Sequence, residues 1–243
     1  MDAATRSPAL DLVLVDFDDT LVDTGPRFSK RRSRLFRFLE DQGFNRQEIE
    51  RVHHEVVDSE LLGLLGFGPF RLGPSFRDTY VRLCVFDGRT PDLAVARRAE
   101  ELARGVEQAS PPLPGALEAL ERLAGELPTA IYTQSGFPEY QLQCMASVGL
   151  LEIVPRARIR VTPEKTTAAF RRVAGEMGAR PGPDVWMVGN SVRSDVNPAL
   201  AAGARAIWVN AGEGWHHDRA ELLRPTPTTS TFAEAVDRLL DGP

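Results

Sequence analysis

The sequence predicts an α/β protein: a doubly wound, mostly parallel sheet with an inserted all-helical domain. Three observations predict it. Short apolar runs alternate with segments of helical period from about residue 114 onward. A further run, Leu12–Val15, is apolar at every position, as in a strand covered on both faces. Between the two, helical periodicity continues from about residue 23 to residue 109 without a convincing strand. The expected organisation is an α/β core formed by 1–22 and 110–243, and a helical insertion at 23–109.

Taken in order, the first strand stops abruptly at Asp16, Phe17, Asp18, Asp19 and Thr20. Three carboxylates at the end of a buried strand repel one another and resist desolvation, so they require a cation. Asp16 and Asp18 are two apart, so a straight strand would point them the same way. Asp19 and Thr20 are also explained as turn formers. Helices follow at Pro26–Gln42, stopped by Gly43, at Arg46–Leu65, at Ser75–Val85 and at Pro91–Gln108. The loop Gly66–Gly73 separates the second from the third. Ser110–Pro114 reads as the return linker, with Pro114 suited to the first turn of a helix running to about Glu126.

Strands are then expected at Ala130–Thr133, within Ile153–Val161, at Val185–Val188 and at Ala206–Val209. Helices are expected at Pro138–Val148, Pro163–Met177, Ser194–Ala202 and Phe232–Leu240, the last with Thr231 and Glu234 spaced as a capping box.

Composition narrows the function. The 243 residues carry a net charge of −5, which argues against general affinity for nucleic acid or an anionic membrane. No apolar run is long enough to span a bilayer, and the polar first eight residues do not read as a signal peptide. Cys84 and Cys144 suggest no disulfide framework, so a soluble protein of a reducing, cytoplasmic compartment is expected. Of 29 basic residues only Lys30 and Lys165 are lysine.

Parallel strands present their carboxyl ends on one edge of the sheet, where ligands bind in open α/β folds. The first strand brings Asp16 and Asp18 to that edge. The second brings Thr133, Gln134 and Ser135, which suit phosphate oxygens but also suit a helix cap. Lys165, expected in the first turn of a helix capped by Thr162, would oppose the helix dipole there. In an arginine-rich chain this suggests that a compact ammonium is required. The fourth end is Gly189, Asn190, Ser191 and onward to Asp195, which reads as a metal or phosphate loop or as an ordinary helix start. Together these groups are the inventory for phosphoryl transfer through a carboxylate nucleophile with Mg²⁺.

With DFDDTL at 16–21 and VGNSVRSD at 188–195, the chain resembles the haloacid dehalogenase-like hydrolase superfamily, in a form with a Rossmann-like core and a helical cap. The resemblance implies that Asp16 is the nucleophile, forming an aspartyl-phosphate, and that Asp18 is the general acid and then base. It implies that Thr133 and Lys165 orient phosphate, with Thr20 and Gln134 as further phosphate contacts. Magnesium would be held by Asp16, the backbone carbonyl of Asp18, Asn190 and Asp195. Asn190 departs from the family pattern, which usually has Asp there, so the third ligand is either Asn190 or Asp195. The expected partner is a small phosphorylated substrate. Arg71, with His53, His54 and Arg77, is a candidate for contacting it from the cap. Dehalogenation, a sugar-phosphate mutase, and a non-enzymatic phosphoacceptor or binding protein with a degraded metal site are the alternatives. Asp18 argues against the first, because dehalogenases resembling this scaffold lack that acid.

Overall fold

Six parallel strands form one sheet in the order β3-β2-β1-β4-β5-β6, in a computed structural model that describes residues 11–212 and 220–241. The expectations that fall on residues 1–10 and 242–243, including the absence of a signal peptide, lie outside the described residues. The strands are β1 (Leu12–Val15), β2 (Thr129–Gln134), β3 (Ile159–Thr162), β4 (Val185–Gly189), β5 (Arg205–Val209) and the short β6 (Thr228–Thr229). The last of these has no counterpart among the sequence expectations. Every pairing is parallel.

The described chain separates into two compact units. One holds residues 11–23, 110–134, 138–212 and 220–241, and the other holds residues 24–109 together with 135–137. In the second unit no strand occurs among the described residues. Its helices are α1 (Gly25–Asp41), α2 (Arg46–Arg51), α3 (Asp58–Leu65), α4 (Leu72–Phe86) and α5 (Leu93–Glu101). Leu35, Phe36, Leu39, Ile49, Phe76 and Leu83 form a core of its own. The single helix expected at Arg46–Leu65 is interrupted by a π-helical segment, Val52–Val57, between α2 and α3. α5 is shorter than expected, starting after Asp92, whose side chain accepts from the Ala94 and Val95 N–H groups, and giving way to turns after Glu101.

The sheet unit adds α6 (Ala116–Glu126), α7 (Pro138–Ser147), α8 (Leu150–Ile153), α9 (Thr167–Glu176), α10 (Asn197–Ala202) and α11 (Phe232–Leu240). β1 shows why this sheet is doubly wound. Val13 and Val15 enter one core with Leu120, Met145 and Val236, while Leu12 and Leu14 enter another with Phe170, Val173 and Leu200. All four side chains are fully buried, each worth roughly 1.5–3 kcal/mol by transfer. β1 lies between β2 and β4, so the residue that follows it leaves a rigid platform at the point where the strand order reverses.

Two helix starts differ from the sequence expectation. The helix placed at Pro163 begins at Thr167, capped by Thr166, whose hydroxyl accepts from the Ala169 N–H at 3.2 Å. Proline disfavours a helical conformation in the residue before it, and Thr162 accordingly ends β3. The helix placed at Ser194 is instead a π turn, Val192–Val196, capped by Ser191 and continuing into α10. At α11 the cap forms as expected: Thr231 accepts from the Glu234 N–H at 3.2 Å, and the Glu234 carboxylate accepts from Ser230 N–H. Among the described residues, no helix is long and apolar enough to cross a membrane.

Candidate active site

Asp16 is the first residue beyond β1 and is still tied to the sheet, its N–H donating to the Val188 carbonyl at 2.9 Å. The chain then turns sharply, with Phe17 carbonyl accepting from Leu21 N–H at 2.9 Å. Asp19 sits within this turn at φ +56°, a left-handed conformation that costs a β-carbon-bearing residue about 1–2 kcal/mol. The turn brings Thr20, fully buried, back beside Asp16, to whose Oδ2 its hydroxyl donates at 3.2 Å. Thr20 therefore serves β1 as more than a turn former.

Lys165 does not lie in a helix. It occupies the loop between β3 and α9, immediately before the cap Thr166. Its ammonium donates to Asp16 Oδ1 and to Asp195 Oδ1, the latter at 2.6 Å, and lies 5.1 Å from the centre of the Tyr132 ring. Gln134, a candidate phosphate contact, donates its amide to the Pro163 carbonyl at 2.9 Å and so ties the end of β2 to this loop. Burial alone would lower the Lys165 pKa, but Asp16 and then Asp195 outweigh it and hold the pKa above the ordinary value.

Asp195 is 1% exposed. Its second oxygen accepts from Ser191 N–H at 3.0 Å. Its carboxylate packs directly against Gly189, where an added β-carbon would overlap it, which is why a glycine closes β4. Burial pushes the Asp195 pKa up to about 7, with Asp16 adding to the rise and Lys165 and the Ser191 N–H opposing it.

Asn190 meets the same threonine from the other side. Its N–H donates to Thr20 Oγ1 at 3.1 Å, and its Oδ1 lies 3.4 Å from that hydroxyl. Two oxygens, Asp16 Oδ2 and Asn190 Oδ1, thus converge on one hydroxyl, which carries a single hydrogen. Hard, oxygen-only donors of this type suit Mg²⁺. Asp16, Asn190 and Asp195 each carry an oxygen that could hold the ion, the Asp16 oxygens also accepting from Lys165 and Thr20 and the Asp195 oxygens from Lys165 and Ser191. Among the described residues, no group of three or more His, Cys, Asp or Glu side chains could hold a metal ion, so an amide or carbonyl oxygen has to complete a set here.

Asp18 and Asp16 have different partners. Half-exposed Asp18 accepts at Oδ2 from the side-chain amide of Gln141, on α7. The same amide lies 3.4 Å from the Thr133 hydroxyl. Gln141 is 4% exposed and was not among the residues that the sequence picked out. Its only sequence signal is a polar side chain one turn into a helix that follows a strand end. A cavity of about 700 Å³ lies at the amino ends of β4 and β5, lined by Pro183, Trp186 and Arg205 among others, and holds none of these groups.

The candidates from the helical unit are placed within that unit. Arg71 is buried and ion-paired with Asp58, also donating to the Asp58 carbonyl at 3.2 Å. His53 is fully buried, with Nδ1 3.0 Å from the Thr79 hydroxyl and its ring edge-on to Phe36 and Phe76. Arg77 is exposed and pairs with Asp78.

The family model for haloacid dehalogenase-like hydrolases matches residues 10–203. No curated protein matches the chain. Among solved structures, a haloacid dehalogenase-like family hydrolase from Xanthomonas campestris is 25% identical with a TM-score of 0.74, over 94% of this chain and 91% of that one. YfnB from Bacillus subtilis, a putative hydrolase of the same type bound to magnesium, is 17% identical with a TM-score of 0.63, over 97% and 100%. L-2-haloacid dehalogenase from Xanthobacter autotrophicus is 16% identical with a TM-score of 0.57, over 96% and 99%. The latter two are likenesses of fold.

Proposed function

The chain belongs to the haloacid dehalogenase-like hydrolase family, and from that premise we propose that it is a magnesium-dependent phosphatase of small organophosphate monoesters. The observation that carries this reading is the pair of carboxylates with separate surroundings. Asp16 is buried against an ammonium, while Asp18 is half-exposed and held by a neutral amide. Two acids in unlike environments can take unlike roles.

Asp16, ion-paired with Lys165, attacks phosphorus, and the bond from phosphorus to the ester oxygen breaks. Asp18 delivers its proton to that leaving oxygen. Water then attacks the phosphorus of the aspartyl-phosphate, Asp18 takes the proton, and Asp16 is released as a carboxylate with inorganic phosphate. Thr133 and Lys165 hold the transferring group in place. The trio Asp16, Lys165 and Asp195 bears one net negative charge when both acids are ionised, and this repels a phosphate dianion. Bound magnesium would supply the compensating positive charge and polarise the phosphoryl group. The B. subtilis neighbour's magnesium is in keeping with this.

The runner-up is dehalogenation, since an L-2-haloacid dehalogenase shares the fold. Halide leaves without a proton, so that reaction has no use for Asp18. The test is phosphate release from p-nitrophenyl phosphate with and without Mg²⁺, using Asp16→Asn as the blank. Magnesium-dependent release that disappears in the variant supports the phosphatase. Halide release from a 2-haloacid, with no phosphate from any ester, overturns it.

A further inference from the structure

We propose that Gln141 is a positioning residue for the acid–base group Asp18, an inference that rests on the phosphatase reading. Gln141 stands in the first turn of α7, three residues after Pro138, and its side chain is enclosed by protein. A buried amide without partners is costly, so its neighbours are part of why it is there. One amide N–H is given to Asp18 Oδ2, and Thr133 Oγ1 lies at the outer limit of hydrogen-bond distance.

Asp18 has left the strand, in a turn whose next residue is left-handed, so the backbone alone does not fix its carboxyl group. The Gln141 amide does, by tethering one oxygen from a helix that is itself packed through Leu142 and Met145. A neutral donor suits this task. A lysine would pair with Asp18 as it does with Asp16, and a glutamate would repel it. The same amide couples Asp18 to Thr133, so the group that handles the leaving oxygen and the group that orients phosphate share one anchor.

The consequence is specific to the leaving group. Protonation matters little when the departing oxygen is a stable phenolate, and greatly when it is an alkoxide. Gln141→Met keeps the volume and removes the donor. Its kcat/KM, which reports the transfer to Asp16 and not the later hydrolysis common to both esters, should fall about tenfold or more on an alkyl phosphate, but less than about threefold on p-nitrophenyl phosphate. Asp18→Asn should show the same bias more strongly, and the double variant should be no worse than Asp18→Asn alone. Gln141→Asn, whose shorter amide retains the donor, provides a second variant if the first folds poorly.

Equal losses of kcat/KM on both ester classes, or additive losses in the double variant, would overturn the role of Gln141 while leaving the phosphatase intact. Wild-type protein that releases phosphate from neither ester would overturn the phosphatase reading, and this inference with it.

Discussion

Each of the two units buries an ion cluster, and the two clusters are unbalanced in opposite directions. In the sheet unit one ammonium, Lys165, faces two carboxylates, Asp16 and Asp195. In the helical unit one carboxylate, Asp58, faces the Arg71 guanidinium and, within electrostatic reach, that of Arg32. Burial, and then the repulsion of Arg71, hold the Arg32 pKa below its usual value, with Asp58 opposing them. A buried surplus of negative charge is a place for a cation, whereas the surplus of positive charge lies partly on Arg32, a residue that is not fully enclosed. The proposed active site is the one whose imbalance its own residues do not relieve.

Removing the cation from each cluster is the strongest way to break that comparison. Lys165→Met should abolish turnover and, in metal-free protein, cost about 3–5 kcal/mol, because it leaves two buried carboxylates facing each other. Arg71→Met should cost less, about 1–3 kcal/mol, because Arg32 remains to offset Asp58. Chemical denaturation of both variants in EDTA tests the order, and a larger loss for Arg71→Met would contradict it. Magnesium should restore part of the stability of Lys165→Met and none of that of Arg71→Met.

Gly189→Ala sharpens the contrast by steric means. The added methyl meets the Asp195 carboxylate and must displace it from Lys165. A loss of about 1–3 kcal/mol with a clear fall in kcat is expected. Wild-type activity in this variant would show that Asp195 is not needed where it stands.

The sheet and most of the site were legible because their signals are local. Leu12–Val15 announces a buried strand, and the acids at 16 and 18 have no structural need to follow it. Lys165 could be singled out by its rarity in an arginine-rich chain, although its setting was misread. Thr162-Pro163 and Thr166-Thr167 both resemble a capped helix start, and only the pairing of Thr162 with Gln134 in the β2–β3 ladder decides between them. The π segments at Val52–Val57 and Val192–Val196 insert a residue into a helical period, which averages out of any periodicity argument. Gln141 was invisible for a plainer reason. Its partner Asp18 is 123 residues away, and a lone glutamine in a helix looks like any solvated side chain until the fold encloses it.

The remaining expected effect concerns pH. With Asp195 protonated, Lys165 and Asp16 balance; with Asp195 ionised, the trio carries a net negative charge in a buried place. Burial therefore raises the folded-state pKa of Asp195 to about 7, from 3.8 for the exposed group. A carboxyl that holds its proton more tightly when folded favours folding below its unfolded pKa. That contribution is lost as pH rises from about 4 through about 7. In EDTA, the melting temperature of the wild type should thus fall across this interval more steeply than that of Asp195→Asn, by roughly 10 °C at this chain length. Saturating magnesium should flatten the wild-type curve toward that of the variant, because a bound cation neutralises the charge that ionised Asp195 adds. Parallel curves in EDTA would mean that Lys165 alone suffices for both carboxylates, and that the sheet unit's cluster is no more in need of a metal than the helical unit's.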